Sequence, residues 1–139
     1  MEHTKIGCEA YIVRDNKILL GRRGNVAGKG TWALPGGHLE FIERADECIC
    51  RELAEETGLI INPKDIKLVA LTDDLQPENN IHYLHITFEV NIGDQEPRLL
   101  EPNECEEWKF FNLNELPTNM FEPHQKIFKT IRSKKTYKS

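Results

Sequence analysis

The segment from residue 45 to residue 57 strongly limits the fold, because it combines a helical repeat with clustered acids. A helix is predicted from near Arg44 to Thr57, and Gly58 follows at the position that C-cap glycines occupy. On a helical wheel, one side begins with apolar residues and continues into glutamates: Ala45, Cys48 and Ile49, then Glu52, Glu55 and Glu56. The side expected to face the protein interior therefore carries carboxylates in its last turn.

These three glutamates are unfavourable at the positions they occupy. Their i, i+3 and i+4 spacing makes them repel one another, and the helix macrodipole disfavours negative charge at this end. A solvated acidic face is the alternative interpretation. The pattern favours a bound cation, and an all-oxygen ligand set indicates a hard ion such as Mg²⁺, with Mn²⁺ as a substitute.

The charge balance limits the ligands of the chain. Among 139 residues, 18 are Lys or Arg and 23 are Asp or Glu, so the formal net charge is −5. This balance argues against binding to a nucleic-acid backbone, but a divalent cation can bridge acids to the phosphates of a small molecule. The length predicts one domain over residues 1–139.

The rest of the chain predicts an α/β fold. The predicted strands cover 5–14, 18–20, 66–72, 81–90 and 106–112, a second helix begins at Pro123, and Pro35-Gly36-Gly37 is expected to interrupt regular structure. In the strand over 81–90, His82 is predicted on the apolar face and His85 on the opposite face, so they cannot bind one ion. A mixed sheet flanked by helices is expected.

The sequence also predicts a cytoplasmic protein without membrane contact. No segment approaches the roughly 18 consecutive apolar residues of a transmembrane helix, and the first residues contain no signal-peptide core. The four cysteines show no CxxC spacing, so free thiols are expected.

A longer motif surrounds the acidic helix. Residues 37–59, GHLEFIERADECICRELAEETGL, match the Nudix box GX5EX7REUXEEXGU at every defined position. The chain therefore resembles the Nudix hydrolase family. The resemblance implies a Nudix-type α/β/α sandwich and Mg²⁺-dependent hydrolysis of a nucleoside diphosphate linked to another moiety.

The resemblance also implies roles for the residues of the box. Glu52 and Glu56 would be the principal metal ligands, and Glu55 would be a further ligand or the group that activates water. Arg51 and Glu43 would orient this catalytic group, and the Gly37 carbonyl would complete the coordination. Without the motif, Glu43 is an ordinary acid at a helix start and Arg51 is an i+4 partner of Glu55.

Residues outside the box resemble one branch of the family, the MutT-like nucleoside triphosphate diphosphatases. The similarity covers Trp32 and the run 34–41, and in this branch an acid before the last strand supplies an extra metal ligand. Glu101 is the first candidate for that role and Glu104 the second, with a solvated position as the alternative for each. Asn119 is a candidate for contact with the base, with a turn or cap role as the alternative.

Further candidates for substrate binding are Arg22, Arg23, His38 and His82. Solvated loop charge is the alternative for the two arginines, and a satisfied core histidine is the alternative for His82. The chain departs from the branch at Ile42, where glycine is usual, so the loop before the helix is expected to differ.

The sequence therefore predicts a Mg²⁺-dependent hydrolase that converts a nucleoside triphosphate, normal or oxidised, to a monophosphate and pyrophosphate. One alternative is a hydrolase of ADP-ribose or another nucleoside diphosphate derivative, although no proline-bearing motif typical of ADP-ribose hydrolases is clear after the box. Another is a catalytically silent domain that binds nucleotides. The expected partner is a small-molecule nucleotide, without nucleic acid or membrane, and the resemblance alone implies a homodimer.

Overall fold

The structure, a computed structural model, describes residues 2–138. Its eight strands are β1 (Lys5–Tyr11), β2 (Val13–Arg14), β3 (Lys17–Arg23), β4 (Trp32–Ala33), β5 (Gly36–His38), β6 (Ile66–Gln76), β7 (Ile81–Val90) and β8 (Cys105–Asn112). Its two α-helices are α1 (Ala45–Thr57) and α2 (Glu122–Arg132), and single 3₁₀ turns lie at Pro63–Asp65 and Pro77–Asn79.

The strands form two four-stranded sheets. One has the order β5-β1-β7-β6, in which β1 and β7 are parallel and the other pairs are antiparallel. In the other, β3 pairs with β2, β4 and β8. The strand predicted over 5–14 is therefore divided at Ile12, and its two parts pair in different sheets.

Apolar side chains lie on both sides of the sheets. Leu19 of β3 packs in one core with Ile49 and Leu53 of α1, whereas Ile18 and Leu20 pack in a second core with α2. Because adjacent residues of one strand point to opposite faces, the two helices cover opposite faces. This arrangement confirms the predicted α/β/α sandwich with a mixed sheet.

Helix α1 begins and ends where the sequence predicts. Arg44 is the N-cap, and the Glu47 carboxylate accepts a hydrogen bond from the Arg44 backbone N–H at 3.1 Å. Gly58 has a left-handed φ of 74° and donates its N–H to the Ala54 carbonyl, which ends the helix. Both ends are therefore encoded locally.

Regular structure is interrupted at Pro35, as predicted, but the prediction is wrong for Gly36 and Gly37. Gly36–His38 forms the edge strand β5, which pairs with β1 so that Gly36 lies opposite Glu9 and Gly37 opposite Cys8. The backbones approach so closely that a Cβ on Gly36 would overlap the Cys8 carbonyl oxygen. Glycine here permits strand pairing.

The loop before α1 contains a strained residue. Ile42 has a φ of 61° and a side chain 88% exposed, a conformation that a β-branched residue rarely adopts. We expect Ile42→Gly to raise the free energy of unfolding by about 0.5–1 kcal/mol, since relief of strain exceeds the added chain entropy. Urea denaturation measures this change. Ile60→Gly, at another exposed isoleucine without positive φ, is the control and should be destabilising. Destabilisation by Ile42→Gly would contradict the strain argument.

Two further sequence expectations can be compared with the described residues. The four cysteines are free, as predicted, and Cys8 and Cys48 are buried. Within residues 2–138, no helix is long and apolar enough to cross a membrane.

Candidate active site

Arg51 organises the acids around α1. Its guanidinium donates to both Glu43 carboxylate oxygens, at 2.7 and 3.1 Å, and to Glu52 Oε1 at 2.9 Å. It also donates to the His38 carbonyl at 3.1 Å and lies 3.3 Å from both Glu55 oxygens. The structure thus brings Arg51, Glu43, Glu52 and Glu55 together. Hydrogen bonds from the guanidinium fix the carboxylates of Glu43 and Glu52.

The ion pair between Arg51 and Glu43 shifts the pKa of both side chains. The hydrogen bond from Arg51 lowers the pKa of Glu43 to about 2 and outweighs the opposing effect of burial. The carboxylates around Arg51, led by Glu43, raise the pKa of the guanidinium. Both groups are therefore charged at neutral pH.

This pair predicts a pH-dependent contribution to stability. A depressed carboxyl pKa stabilises the fold above the unfolded pKa near 4.5, and that stabilisation is lost as pH falls through about 2. We expect Glu43→Gln to lower the free energy of unfolding by about 1–3 kcal/mol at pH 7. The difference from wild type should shrink as pH falls below 4.5, as urea denaturation at several pH values would show. A difference independent of pH would contradict the ion pair.

Glu52 lies against the backbone of β5. Its side chain is 15% exposed. Burial raises its pKa, while Arg51 opposes that shift. A Cβ on Gly37 would overlap the Glu52 carboxylate, so glycine leaves the space that this side chain occupies.

This contact makes Gly37 sensitive to the smallest substitution. We expect Gly37→Ala to displace the Glu52 carboxylate and to lower kcat by about 10- to 100-fold, because catalytic groups tolerate little misplacement. Steady-state kinetics would measure this loss, and thermal melting would verify that the variant is folded. A folded variant with wild-type kcat would show that Glu52 does not need this position.

Glu56 has the least compensated charge of the cluster. Its Oε1 accepts the Gly36 backbone N–H at 3.1 Å. Burial raises its pKa well above the ordinary value, and the negative charges of Glu52, Glu101 and Glu104 raise it further. A half-buried carboxylate among other carboxylates fits a divalent cation, which would neutralise their charge. Carboxylate oxygens are the ligands that Mg²⁺ and Mn²⁺ prefer.

The three helix glutamates do not yet converge on one point. Within residues 2–138, the one group of metal-ligating side chains with ligand atoms within 4.8 Å of one another is Glu9, His85 and His124. Arg51 draws Glu52 towards itself, and the Glu55 side chain is 51% exposed. Binding a cation would require the carboxylates of these glutamates to turn towards one point.

A cavity of about 880 Å³ adjoins the acidic cluster. Gly36 and Gly37 line it and also contact Glu56 and Glu52, so β5 is shared by the cavity and the acids. The cavity is large enough for a small organic ligand. Acids beside a cavity are suited to a ligand that has an anionic part and a bulky uncharged part. The uncharged part would occupy the cavity, and a cation would lie between the acids and the anionic part.

Comparison with known families identifies the family of the chain. Residues 5–131 match the NUDIX domain family. The chain belongs to the NUDIX family. Its acidic α1 is therefore the helix of the NUDIX motif, and the chain is a NUDIX pyrophosphohydrolase.

Individual NUDIX relatives have different named activities. An ADP-ribose pyrophosphatase of Methanocaldococcus jannaschii is 39% identical over 127 residues, which cover 91% of this chain and 72% of the relative. The nucleoside triphosphatase NudI of Escherichia coli is 27% identical over 117 residues, which cover 78% of this chain and 82% of the relative. The crystal structure of a MutT NUDIX hydrolase from Burkholderia pseudomallei superimposes with a TM-score of 0.86 at 30% identity, covering 94% of this chain and 99% of that one.

The NUDIX cavity includes two of the substrate-binding candidates. Arg23 and His38 line it. Arg23 lies 4.0 Å from the centroid of the Phe121 ring, and burial lowers its pKa against the pull of Glu56. His38 Nε2 is 2.9 Å from the Tyr83 hydroxyl, and burial lowers its pKa.

The other three substrate-binding candidates do not line the cavity. Arg22 pairs with Glu107 at 3.6 Å, and Asn119 donates to the Gly30 carbonyl at 3.1 Å. His82 is exposed, with Nδ1 3.1 Å from Thr4 Oγ1, so its predicted position on a buried face is wrong. The strand is buried on both faces towards its end, and His82 lies at its exposed beginning.

Glu101 and Glu104 lie near enough to the acidic cluster to affect it electrostatically. Glu101 is half-buried, and burial raises its pKa, with Glu104 and Glu55 adding to the shift. Glu104 is exposed. The supplementary ligand role of Glu101, ahead of Glu104, stays a prediction.

Sequence reasoning missed four side chains of the cavity wall: Glu9, Tyr83, His85 and His124. They come from β1, β7 and α2. The one available signal was Glu9, a charged residue between the apolar Cys8 and Ala10 of β1. Its significance depends on strand pairing that the sequence does not display.

Proposed function

We propose that this NUDIX pyrophosphohydrolase uses Mg²⁺, or Mn²⁺ in its place, to cleave the pyrophosphate linkage of ADP-ribose. The observation that carries the proposal is the position of the cavity directly beside the acids of α1, with Gly36 and Gly37 contributing to both. A substrate with phosphates at the acids and an uncharged part in the cavity fits this arrangement. ADP-ribose is placed first because the archaeal relative, 39% identical, bears that activity in its name.

We assign each residue a role in the reaction from its position. Glu52 and Glu56 would hold the cation, with Glu101 as a supplementary ligand and the Gly37 carbonyl completing the coordination. Bound Mg²⁺ would neutralise phosphate charge and favour ionisation of the attacking water. Arg51 and Glu43 orient the acids, and the half-exposed Glu55 accepts the proton of the water.

Arg23 and His38 lie on the cavity side of this arrangement. Arg23 would bind phosphate oxygens between the acids and the cavity, because its guanidinium lies near enough to Glu56 for the two charges to interact. Water attacks one phosphorus, the bridging P–O bond breaks, and the products are AMP and ribose 5-phosphate.

Product analysis tests this proposal directly. The protein is incubated with Mg²⁺ and ADP-ribose, and ³¹P NMR is expected to show AMP and ribose 5-phosphate in equal amounts. Reaction in H₂¹⁸O identifies the phosphorus that is attacked, because the label enters one product. Absence of turnover with ADP-ribose would reject this substrate.

The second candidate function is hydrolysis of a nucleoside triphosphate to a monophosphate and pyrophosphate. Its support is the relative NudI, which covers 78% of this chain, and the resemblance of residues 34–41 to MutT-like enzymes. The same assay with a panel of normal and oxidised triphosphates separates the candidates, because only this reaction releases pyrophosphate. Failure with both substrate classes would reject both candidate substrates.

A further inference from the structure

A buried carboxylate lies in the wall of the cavity, apart from the acids of α1. Glu9 of β1 is 4% exposed and lies opposite Gly36 in the pairing with β5. A Cβ on Gly7 would lie 2.8 Å from Glu9 Oε2 and 3.0 Å from His85 Nδ1. The absence of a side chain at Gly7 therefore leaves the space that this acid and its histidine partner occupy.

His85 fixes one oxygen of Glu9. The imidazole Nδ1–H donates to Glu9 Oε2 at 3.0 Å, and the ring stacks on Tyr83 with centroids 5.5 Å apart. Burial alone would lower the pKa of His85, but the hydrogen bond and charge of Glu9 outweigh it and raise the pKa. Glu9 Oε2 is thus satisfied and the carboxylate is held in orientation.

The other oxygen of Glu9 has no partner. Among residues 2–138, Glu9 Oε1 and His85 Nε2 are buried without any hydrogen bond. A buried carboxylate oxygen without a donor is costly, and native structures rarely retain one without a reason. Glu9 lines the cavity, so a small rotation of its carboxylate would bring Oε1 within reach of a ligand that supplies the missing donor.

His124 completes a trio with Glu9 and His85 that superficially resembles a metal centre. The Leu34 backbone N–H donates to His124 Nδ1 at 3.0 Å, so this nitrogen carries the lone pair. The buried neutral ring then carries its proton on Nε2, which is 3.9 Å from Glu9 Oε2. A protonated ring nitrogen cannot bind a cation, so the trio is arranged for hydrogen bonding.

We infer that Glu9, held by His85, is a specificity-determining residue that accepts hydrogen bonds from two adjacent donors on the uncharged part of the substrate. This inference rests on one element of the proposed function, namely that the cavity binds the part of a nucleotide that carries no phosphate. Paired donors occur in ribose, as neighbouring hydroxyls, and in guanine, as its amino and imino edge. Each carboxylate oxygen has two lone pairs, so Oε1 can accept from one donor of such a pair while Oε2, beside its bond from His85, accepts from the other.

Binding measurements test Glu9 separately from catalysis. Isothermal titration calorimetry is done in EDTA, without Mg²⁺, on wild type, Glu9→Gln and the control Glu89→Gln, which changes an exposed glutamate of β7. The ligands form pairs that differ in donors: ADP-ribose and ADP, GMP and IMP, GMP and dGMP. Glu9→Gln should reduce the preference within one pair by about 10- to 100-fold, and Glu89→Gln should leave it unchanged.

The pair that loses its preference identifies the source of the donors. If Glu9→Gln loses the preference for ADP-ribose over ADP, the donors belong to the terminal ribose. If it loses the preference for GMP over dGMP, they belong to the nucleoside ribose. If it loses the preference for GMP over IMP, they belong to the guanine edge. Preferences that Glu9→Gln leaves unchanged, equal weakening of every ligand, or no binding by wild type would overturn the inference. Zn²⁺ binding that Glu9→Gln and His124→Gln both abolish would also overturn it. Absence of hydrolysis would reject the proposed function without altering the binding ratios.

Discussion

Replacement of Glu56 by glutamine is expected to lower kcat by at least about 10³-fold and to raise the Tm of the metal-free protein at neutral pH. Activity falls because the variant loses a negatively charged ligand of the cation. Stability rises because Glu56 is a half-buried carboxylate among other acids, and its pKa is raised by burial and then by Glu52, Glu101 and Glu104. An isosteric neutral side chain removes this repulsion while keeping an acceptor for the Gly36 N–H.

The sign of the pH effect follows from the raised pKa. An acid whose folded pKa is raised destabilises the fold above its unfolded pKa, and this cost reaches its full value above the folded pKa. The Tm difference between Glu56→Gln and wild type should therefore be largest at neutral pH and vanish below about pH 4. Adding Mg²⁺ should raise the Tm of wild type and leave that of the variant nearly unchanged.

Glu106→Gln is the matched control for this prediction, because Glu106 is an exposed glutamate on β8. It should change neither kcat nor the response of Tm to Mg²⁺. A Glu56→Gln variant that is folded and has wild-type kcat would refute the ligand role of Glu56. A variant less stable than wild type at pH 7 without metal would refute the electrostatic argument.

Replacement of Arg51 by lysine should have the second largest effect. Lysine keeps the positive charge but cannot donate at once to both Glu43 oxygens, Glu52 and the His38 carbonyl, as the guanidinium does. We expect kcat to fall about 10²-fold and the free energy of unfolding to fall by about 2–3 kcal/mol. Steady-state kinetics and urea denaturation give the two quantities.

Arg44→Lys provides the control for Arg51→Lys. Arg44 is exposed and its guanidinium bonds to Asp46, so the variant should keep wild-type kcat and nearly wild-type stability. If Arg51→Lys were as mild as this control, charge alone would account for Arg51. The geometry of its hydrogen bonds would then be unimportant for catalysis.

The sequence predicts the acidic helix well, because its bounds and the spacing of its acids are local features. The helix bounds follow from the cap at Arg44 and the glycine at 58, and the positions of Glu52, Glu55 and Glu56 follow from the helical repeat. Even the contact between Arg51 and Glu43, eight residues apart, lies within one motif. The acidic half of the site is therefore encoded in a single continuous segment.

The cavity depends on contacts between distant segments, and the sequence does not reveal them. Glu9 and His85 are 76 residues apart and meet because β1 and β7 pair in parallel. His124 lies on α2, and its Nδ1 accepts a hydrogen bond from the backbone N–H of Leu34, 90 residues away. Period-two alternation favours His82 over His85 as the buried histidine, whereas β7 buries His85 because both faces of its later residues are covered.

Binding of Mn²⁺ in the absence of nucleotide tests most directly whether the acids at the end of α1 form the metal site. Electron paramagnetic resonance of free Mn²⁺ gives the Kd for wild type, Glu56→Gln, Glu52→Gln and Glu106→Gln. The Kd should increase at least about 10-fold in the first two variants and remain at the wild-type value in Glu106→Gln. Equal Mn²⁺ affinity in all four proteins would contradict the assignment of the metal to these glutamates.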